Sequence, residues 1–512
     1  MELTTQLSRA GVMFIAGESD AIYQHVALLA ILDSGDRPGF DFDHFRRHCA
    51  ERAALIPQFR WKLHAVPMGL DRPYWVADEH FSIDHHIKHI ALPSPGDKAA
   101  LCEVAAHLYS RHLDRSRPLW ETWLIEGLQG GRFAYLQKFH HCLMDGQGAV
   151  KMFEIICDFE PEPRQPKAVA QSISTARAGA VPSYGQRSSK AWRHLARLPG
   201  EAARNAANIL RPKILDQLAW PRTPPARRPP VPTACINGPI GGDRALTFAS
   251  LPMAALKTVK DHFGVSLNDV VLALVSAAVR DYLTARDALP VDSLRTNIPV
   301  SLRASGDQQL SNRVTSTTVT LATDIDDPVA RLQAIHAESE QAKARAHSGA
   351  PGMVELFQIM PPIMVSALMD SLPADQAAQI TGANLIVSNV RGSSAPMYIG
   401  GARIEKLYPM SILTAGMGIN FTCISYANSM DFGVVVEPDL VTGWEALAHG
   451  LQAALANYLA LSTPASRIRA RAAARRKQRP AGKPGRGKPG PANKGAGDTA
   501  VRNRSRAGRK RR

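Results

Sequence analysis

Apolar and polar positions along this chain follow two periods. "HVALLAIL" (His25–Leu32) and "RFAYLQKFHH" (Arg132–His141) have the short, β-rich pattern of strands. The second alternates, so that Phe133, Tyr135, Phe139 and His141 share one face and His140 points to the other. Helical spacing appears in "DHFRRHCAERAALI" (Asp43–Ile56), in "QGAVKMFEIICDF" directly after the histidines, and over Lys98–Leu113, where Leu101, Val104, Ala105 and Leu108 fall together. Further on, the pattern predicts a helix over Leu267–Leu283 and strands at "LRTNIPVSL", "NRVTSTTVTLA", "NLIVSNV" and "DFGVVVEP". The expected class is therefore mixed α/β.

Breaks in the pattern divide the chain. Residues 1–163 form one α/β half, 164–239 a connector rich in Pro, Ser and Arg, 240–464 a second half, and 465–512 a Gly/Pro/Arg/Lys tail. The connector contains a helix-forming stretch, Ala191–Leu210, that Pro199 should kink or end. No repeat relates the halves. The tail has almost nothing apolar to offset the entropy of ordering, so it is expected to be disordered.

Charge alters this picture only by its location. The formal +16 suggests a nucleic-acid binder, yet the tail carries 18 Lys and Arg against one acid, Asp498, a net +17 that leaves −1 for residues 1–464. Six scattered cysteines, none in a CxxC pair, suggest reduced thiols and a cytoplasmic setting rather than disulfides or zinc. The N-terminal "MELTTQLSRAGVMFIAGESD" lacks the basic and apolar regions of a secretory signal. The longest apolar run, Val270–Val279, is about half the ~20 residues of a membrane helix.

Candidate chemistry centres on "YLQKFHHCLMDGQGAVKMF" (Tyr135–Phe153). A histidine titrating near neutrality can take a proton from a hydroxyl as that hydroxyl attacks a carbonyl. Asp145 and Gly146 stand at the turn into a helix, where Gly146 would permit a sharp backbone path and Asp145 is first of all an N-cap. On spacing alone the pair is open between a proton-transfer site and two packed side chains. HExxH and a third ligand at a helical offset are absent, so no metal site is expected; GxSxG is absent too, which argues against a serine hydrolase of that type, and the tail's "GKPGRGKP" has Pro489 where a phosphate loop needs Ser or Thr.

The stretch "HHCLMDG" (His140–Gly146) matches the HHxxxDG motif of the acyl-CoA-dependent acyltransferases. Its flanks resemble one branch, the bacterial wax ester synthase/diacylglycerol acyltransferases. "RPLWETWLIEGLQGGRFAYLQKFHHCLMDG" is similar to that family's PLW segment (Pro118, Leu119, Trp120) running into the motif. "RPYWVADEHFSIDHHIKHIALPSPG" resembles an upstream signature, and "SLNDVVLALVSAAVRDYL" the segment with its Asn-Asp pair (Asn268, Asp269). Two departures stand out. Gly11 or a neighbour replaces an N-terminal aspartate, and the family's Ser-Asn-Val-Pro-Gly-Pro block reads "SNVRGSSAP" (Ser388–Pro396).

The resemblance implies two chloramphenicol-acetyltransferase-like halves joined by a long crossover, with an apolar channel between them. It implies transfer of an acyl group from acyl-CoA, a substrate rather than a cofactor, to diacylglycerol or a long-chain fatty alcohol, at a site that needs no cofactor. His141 would be the general base and His140 mainly structural. Asp145 would orient the loop, with Arg303 as a candidate partner, and Asn268 would lie near the developing oxyanion. Lipid substrates suggest peripheral attachment to the inner membrane or to lipid droplets, through the tail or the methionine-rich "MVELFQIMPPIMVSALM" (Met353–Met369), with nucleic acid as another partner open to the tail. The alternative is a lipid-binding protein that keeps the fold without catalysis.

Overall fold

The computed structural model describes residues 6–35, 39–164, 182–197, 200, 230–301, 314–347, 360–371, 373 and 376–462. Arg303, the tail, most of the connector and Met353–Ile359 as far as residue 359 lie outside them. In chain order the elements are α1 (Arg9–Ala16), β1 (His25–Asp33), α2 (Phe42–Ala53), β2 (Trp61–His64), β3 (Tyr74–Ala77), β4 (Ile87–Ala91), α3 (Lys98–Tyr109), β5 (Trp120–Leu128), β6 (Arg132–His140) and α4 (Gly146–Ile156). A helix over residues 184–197, α5, follows. Then come β7 (Ala245–Pro252), α6 (Met253–Phe263), α7 (Leu267–Thr284), β8 (Arg295–Ser301), β9 (Val314–Thr320), α8 (Pro328–His347), α9 (Pro362–Ser371) and α10 (Ala377–Thr381). The chain closes with β10 (Leu385–Arg391), β11 (Tyr398–Ile399), β12 (Ala402–Met410), β13 (Ile419–Tyr426), β14 (Ser429–Val436) and α11 (Glu445–Leu461).

Among the described residues two six-stranded sheets, in the orders β11-β12-β1-β6-β5-β4 and β7-β14-β13-β10-β8-β9, lie with a small β2-β3 ribbon. The first sheet does not follow the sequence division. Its β12 belongs to the second half of the chain yet pairs antiparallel along β1, from Ala27↔Met410 to Asp33↔Arg403. β14 then crosses so close to this strand that a Cβ on Gly433 would lie 1.8 Å from the Pro409 carbonyl oxygen. The expected boundary in the connector is therefore bridged by shared strands.

Local chemistry explains the main elements. α7 starts at a capping box in which the Ser266 hydroxyl accepts from Asp269 N–H and the Asp269 carboxylate accepts from Ser266 N–H. Most of its residues are buried, so it forms the centre of the second half's core with β13, β14 and α11. β6 is buried on both faces from Ala134 onward: Tyr135 and Phe139 face the core that holds α2 and α4, whereas Ala134 and Leu136 face α3. That second layer joins the halves, because it also contains Leu246, Phe248 and Val435.

The methionine-rich stretch splits by environment. Val365 is buried, Met360 and Met369 pack against the core, and Ile363 and Met364 are exposed. Among the described residues no single helix is long and apolar enough to cross a membrane. α6 and α7 meet that criterion only as a pair, bent by 102°.

Candidate active site

β6 delivers the histidines, and its ladder ends on them. His140 pairs with His25 of β1, and its N–H donates to the Leu119 carbonyl at 3.0 Å. His141 lies just past the strand rather than in it, but its N–H still donates to the Gln24 carbonyl at 2.8 Å. Both backbones are thus fixed by neighbouring segments. The chain then turns tightly, with Leu143 N–H returning to the His140 carbonyl.

The two rings have different surroundings. His140 is 1% exposed, and its Nδ1 accepts from Cys142 N–H at 3.1 Å while Nε2 lies 3.5 Å from Glu18 Oε2. An acceptor at Nδ1 places the proton on Nε2, facing the carboxylate. Burial lowers the pKa of His140, and Glu18 opposes that shift. Burial alone would raise the Glu18 carboxyl, but its contacts with His140 and Arg115 outweigh this and hold it well below the usual carboxylate range. His141 is half-buried and lies flat on Phe14 of α1, the rings 4.2 Å apart and 3° from parallel. Burial, followed by the nearby His140, also lowers its pKa.

Asp145 caps α4. Its buried carboxylate accepts from Gly148 N–H at 2.9 Å. The two glycines have different surroundings. Gly146 does not have a positive φ, and a Cβ there would touch Val390 of β10 at an ordinary 3.4 Å, so no sharp path depends on it. Gly148 is the constrained one, because a Cβ would come within 2.8 Å of Met144 Cβ.

The PLW segment supports the histidine loop from the side. Pro118 and Leu119 are buried, Leu119 supplies the carbonyl that holds His140, and Trp120 pairs with Phe139 across β5 and β6. The Trp120 indole is stacked between Phe59 and His86, and its Nε1–H donates to the Phe59 carbonyl at 2.9 Å.

β10 links the two motifs. Its Val390 lies against Gly146, and the adjacent Asn389 donates to Asn268 Oδ1 at 3.4 Å. Asn268 is half-buried at the start of α7, whereas Asp269 is fully buried in its capping box and accepts from His336 Nδ1 at 2.7 Å. Burial would raise the Asp269 pKa, but His336 and Ser266 bring it down. Arg391, where the family block has proline, ends β10 paired with Ser425 of β13.

A cleft of about 570 Å³ runs between Lys98, Phe248, Arg132 and Tyr408, and His141 is not among its walls.

A wax ester synthase/diacylglycerol acyltransferase catalytic-domain model matches residues 7–271, and the family's C-terminal-domain model matches residues 310–458. The chain belongs to this family. Similar proteins from Mycobacterium tuberculosis, named as diacylglycerol O-acyltransferases, are 30% identical over 464 residues, covering 89% of this chain and 90% of the relative, and 34% identical over 438 residues, covering 84% and 94%. Among solved structures the wax ester synthase/diacylglycerol acyltransferase from Marinobacter aquaeolei VT8 is similar at a TM-score of 0.65 and 26% identity, covering 90% of this chain and all of that one. The starter condensation domain of rhizomide synthetase, 14% identical with a TM-score of 0.50, shares the fold. As a member of this family, the protein is an acyltransferase with the two-halved condensation-type fold.

Within this family site, Phe14 and Glu18 were not singled out by sequence reasoning. Both flank the end of α1, far from the motif in sequence, and nothing in their local pattern marks them. The Asn389–Val390 pair was visible only as part of a family block.

Proposed function

We propose that this acyltransferase esterifies diacylglycerol or a long-chain fatty alcohol with acyl-CoA, and that His141 is the general base. The reading rests on one observation: a half-buried imidazole held by its backbone at the end of β6 and by its ring on Phe14, with burial lowering its pKa and so favouring the neutral, proton-accepting form. His141 accepts the proton of the acceptor hydroxyl as its oxygen attacks the thioester carbonyl. A C–O bond forms, the C–S bond breaks, and the same proton passes to the CoA thiolate. The transfer is direct, with no acyl-enzyme and no cofactor.

His140 keeps the loop in place through Glu18, and Asp145 caps α4 below it. Asn268, brought beside Asn389 by β10, assists at the developing oxyanion. Lipid acceptors call for peripheral attachment to a membrane or droplet surface.

The test is purified protein with labelled palmitoyl-CoA, offered hexadecanol and dioleoylglycerol separately, with products resolved by thin-layer chromatography. Labelled wax ester or triacylglycerol is the expected product. Lipid binding without any ester would favour the non-catalytic alternative.

A further inference from the structure

Among the described residues seven large apolar side chains are exposed, and five of them lie on one segment or on the two helices packed beside it: Met68 on the segment, Tyr184 and Trp192 on α5, Ile363 and Met364 on α9. The 3-10 turn Pro67–Gly69 sits between two helices and carries Met68, 67% exposed. On one side, Gly69 faces Ile363 of α9 closely enough that a Cβ would meet it at 3.4 Å. On the other, Arg187 of α5 donates to the Ala65 carbonyl at 3.0 Å, and Ala191 packs with Val66, Tyr74 and Val76.

Charge indicates what this tract meets. Residues 182–197 include Arg187, Lys190, Arg193 and Arg197 and no acid. Cations beside exposed tryptophan and tyrosine match an interface with anionic headgroups above and acyl chains below. Methionine adapts to such an irregular apolar phase. A second copy of the chain fits less well, because a twofold contact would place the same cations against one another.

The tract also borders the candidate site. Ser366 of α9 donates to the Ala16 carbonyl at 3.0 Å, and Phe14 of the same helix α1 lies on His141. We infer that this face docks on an anionic lipid surface, with Met68, Ile363 and Met364 in the acyl boundary and the exposed Arg193 and Arg197 at lipid phosphates, and that the lipid acceptor reaches His141 from this side. The docking stands on exposure and charge alone; the delivery rests on the proposed function.

The experiment uses the full chain with vesicles of phosphatidylcholine, with and without phosphatidylglycerol. It is run at high salt, so that attraction by the basic tail is screened. Met68→Glu, Ile363→Glu and Met364→Glu combined should lower vesicle partitioning by about tenfold or more. The melting temperature should stay unchanged, because all three are exposed. Repeated at low salt, where the tail is common to both proteins, Arg193→Glu with Arg197→Glu should weaken binding to the anionic vesicles only. Brominated lipid should quench wild-type fluorescence more than that of Trp192→Phe. Esterification of diacylglycerol presented in vesicles should fall in the triple variant while esterification in detergent micelles persists.

Equal partitioning and quenching for wild type and variants would overturn the docking, as would a self-association that the triple variant abolishes in place of vesicle binding. Normal docking with equal vesicle and micelle activity would overturn the delivery. Absence of ester from the wild type in both presentations would instead count against the proposed function, leaving the partitioning result to stand.

Discussion

At the scale of single residues, the neighbouring histidines differ in their surroundings. His140 has Cys142 N–H on one nitrogen and Glu18 beside the other, whereas the His141 ring is stacked on Phe14. His141→Ala should therefore stay folded and lose about 10²–10⁴-fold in turnover, the usual cost of a missing general base; near-normal kcat would refute the assignment. The pH dependence follows from its sign. The base works only when neutral, and burial moves its pKa below the ordinary 6.5, so kcat/KM should be flat through neutrality. It should then fall by about tenfold per unit once the pH passes below that lowered pKa, whereas a break above 6.5 would contradict the burial that the ring shows. The histidines, Asp145 and Trp120 could be singled out because they stand in contiguous stretches that resemble a family's motifs; the strand's alternation alone left the pair open between chemistry and packing. Phe14 and Glu18 were not, since tertiary packing alone brings them to the loop.

Among the elements, α7 shows that one dipeptide can combine two roles. Asp269 is a cap and a buried partner of His336, while Asn268 one position earlier reaches Asn389 across β10. Asp269→Ala should cost about 1–3 kcal/mol, from the lost cap and the orphaned polar partners, and thermal denaturation would measure it. Asn268→Ala should leave the melting temperature near wild type and lower kcat more than it raises KM. A change in stability alone would reduce this residue to helix-end packing. Periodicity located α2, α3, α7 and the strands β1, β6, β8, β9, β10 and β14, with the end of α3 at Tyr109 instead of Leu113. It passed over β12 and β13. "ARIEKLYPM" has charged residues along a strand that is buried only because β1 and β14 cover it, a circumstance no local window contains.

For the whole molecule, the decisive fact is that one half of the chain completes the sheet of the other. Gly433→Ala probes this crossing, since its Cβ would meet the Pro409 carbonyl oxygen at 1.8 Å and force β14 from β12. A loss of about 1–3 kcal/mol or more is expected, with activity and melting temperature declining together; a silent variant would mean that the two strands can separate without harm. The shared strand also imposes an order on synthesis. β1 leaves the ribosome early and finds β6 soon after, but its other edge waits for β12, roughly 370 residues further along. At about 5–20 residues per second the wait is on the order of tens of seconds. Throughout it the nascent chain presents an open apolar strand, a template for pairing with other chains. Chaperone supply and growth temperature should therefore govern the yield of this protein in a cell, and any message cut short before β12 should produce aggregate.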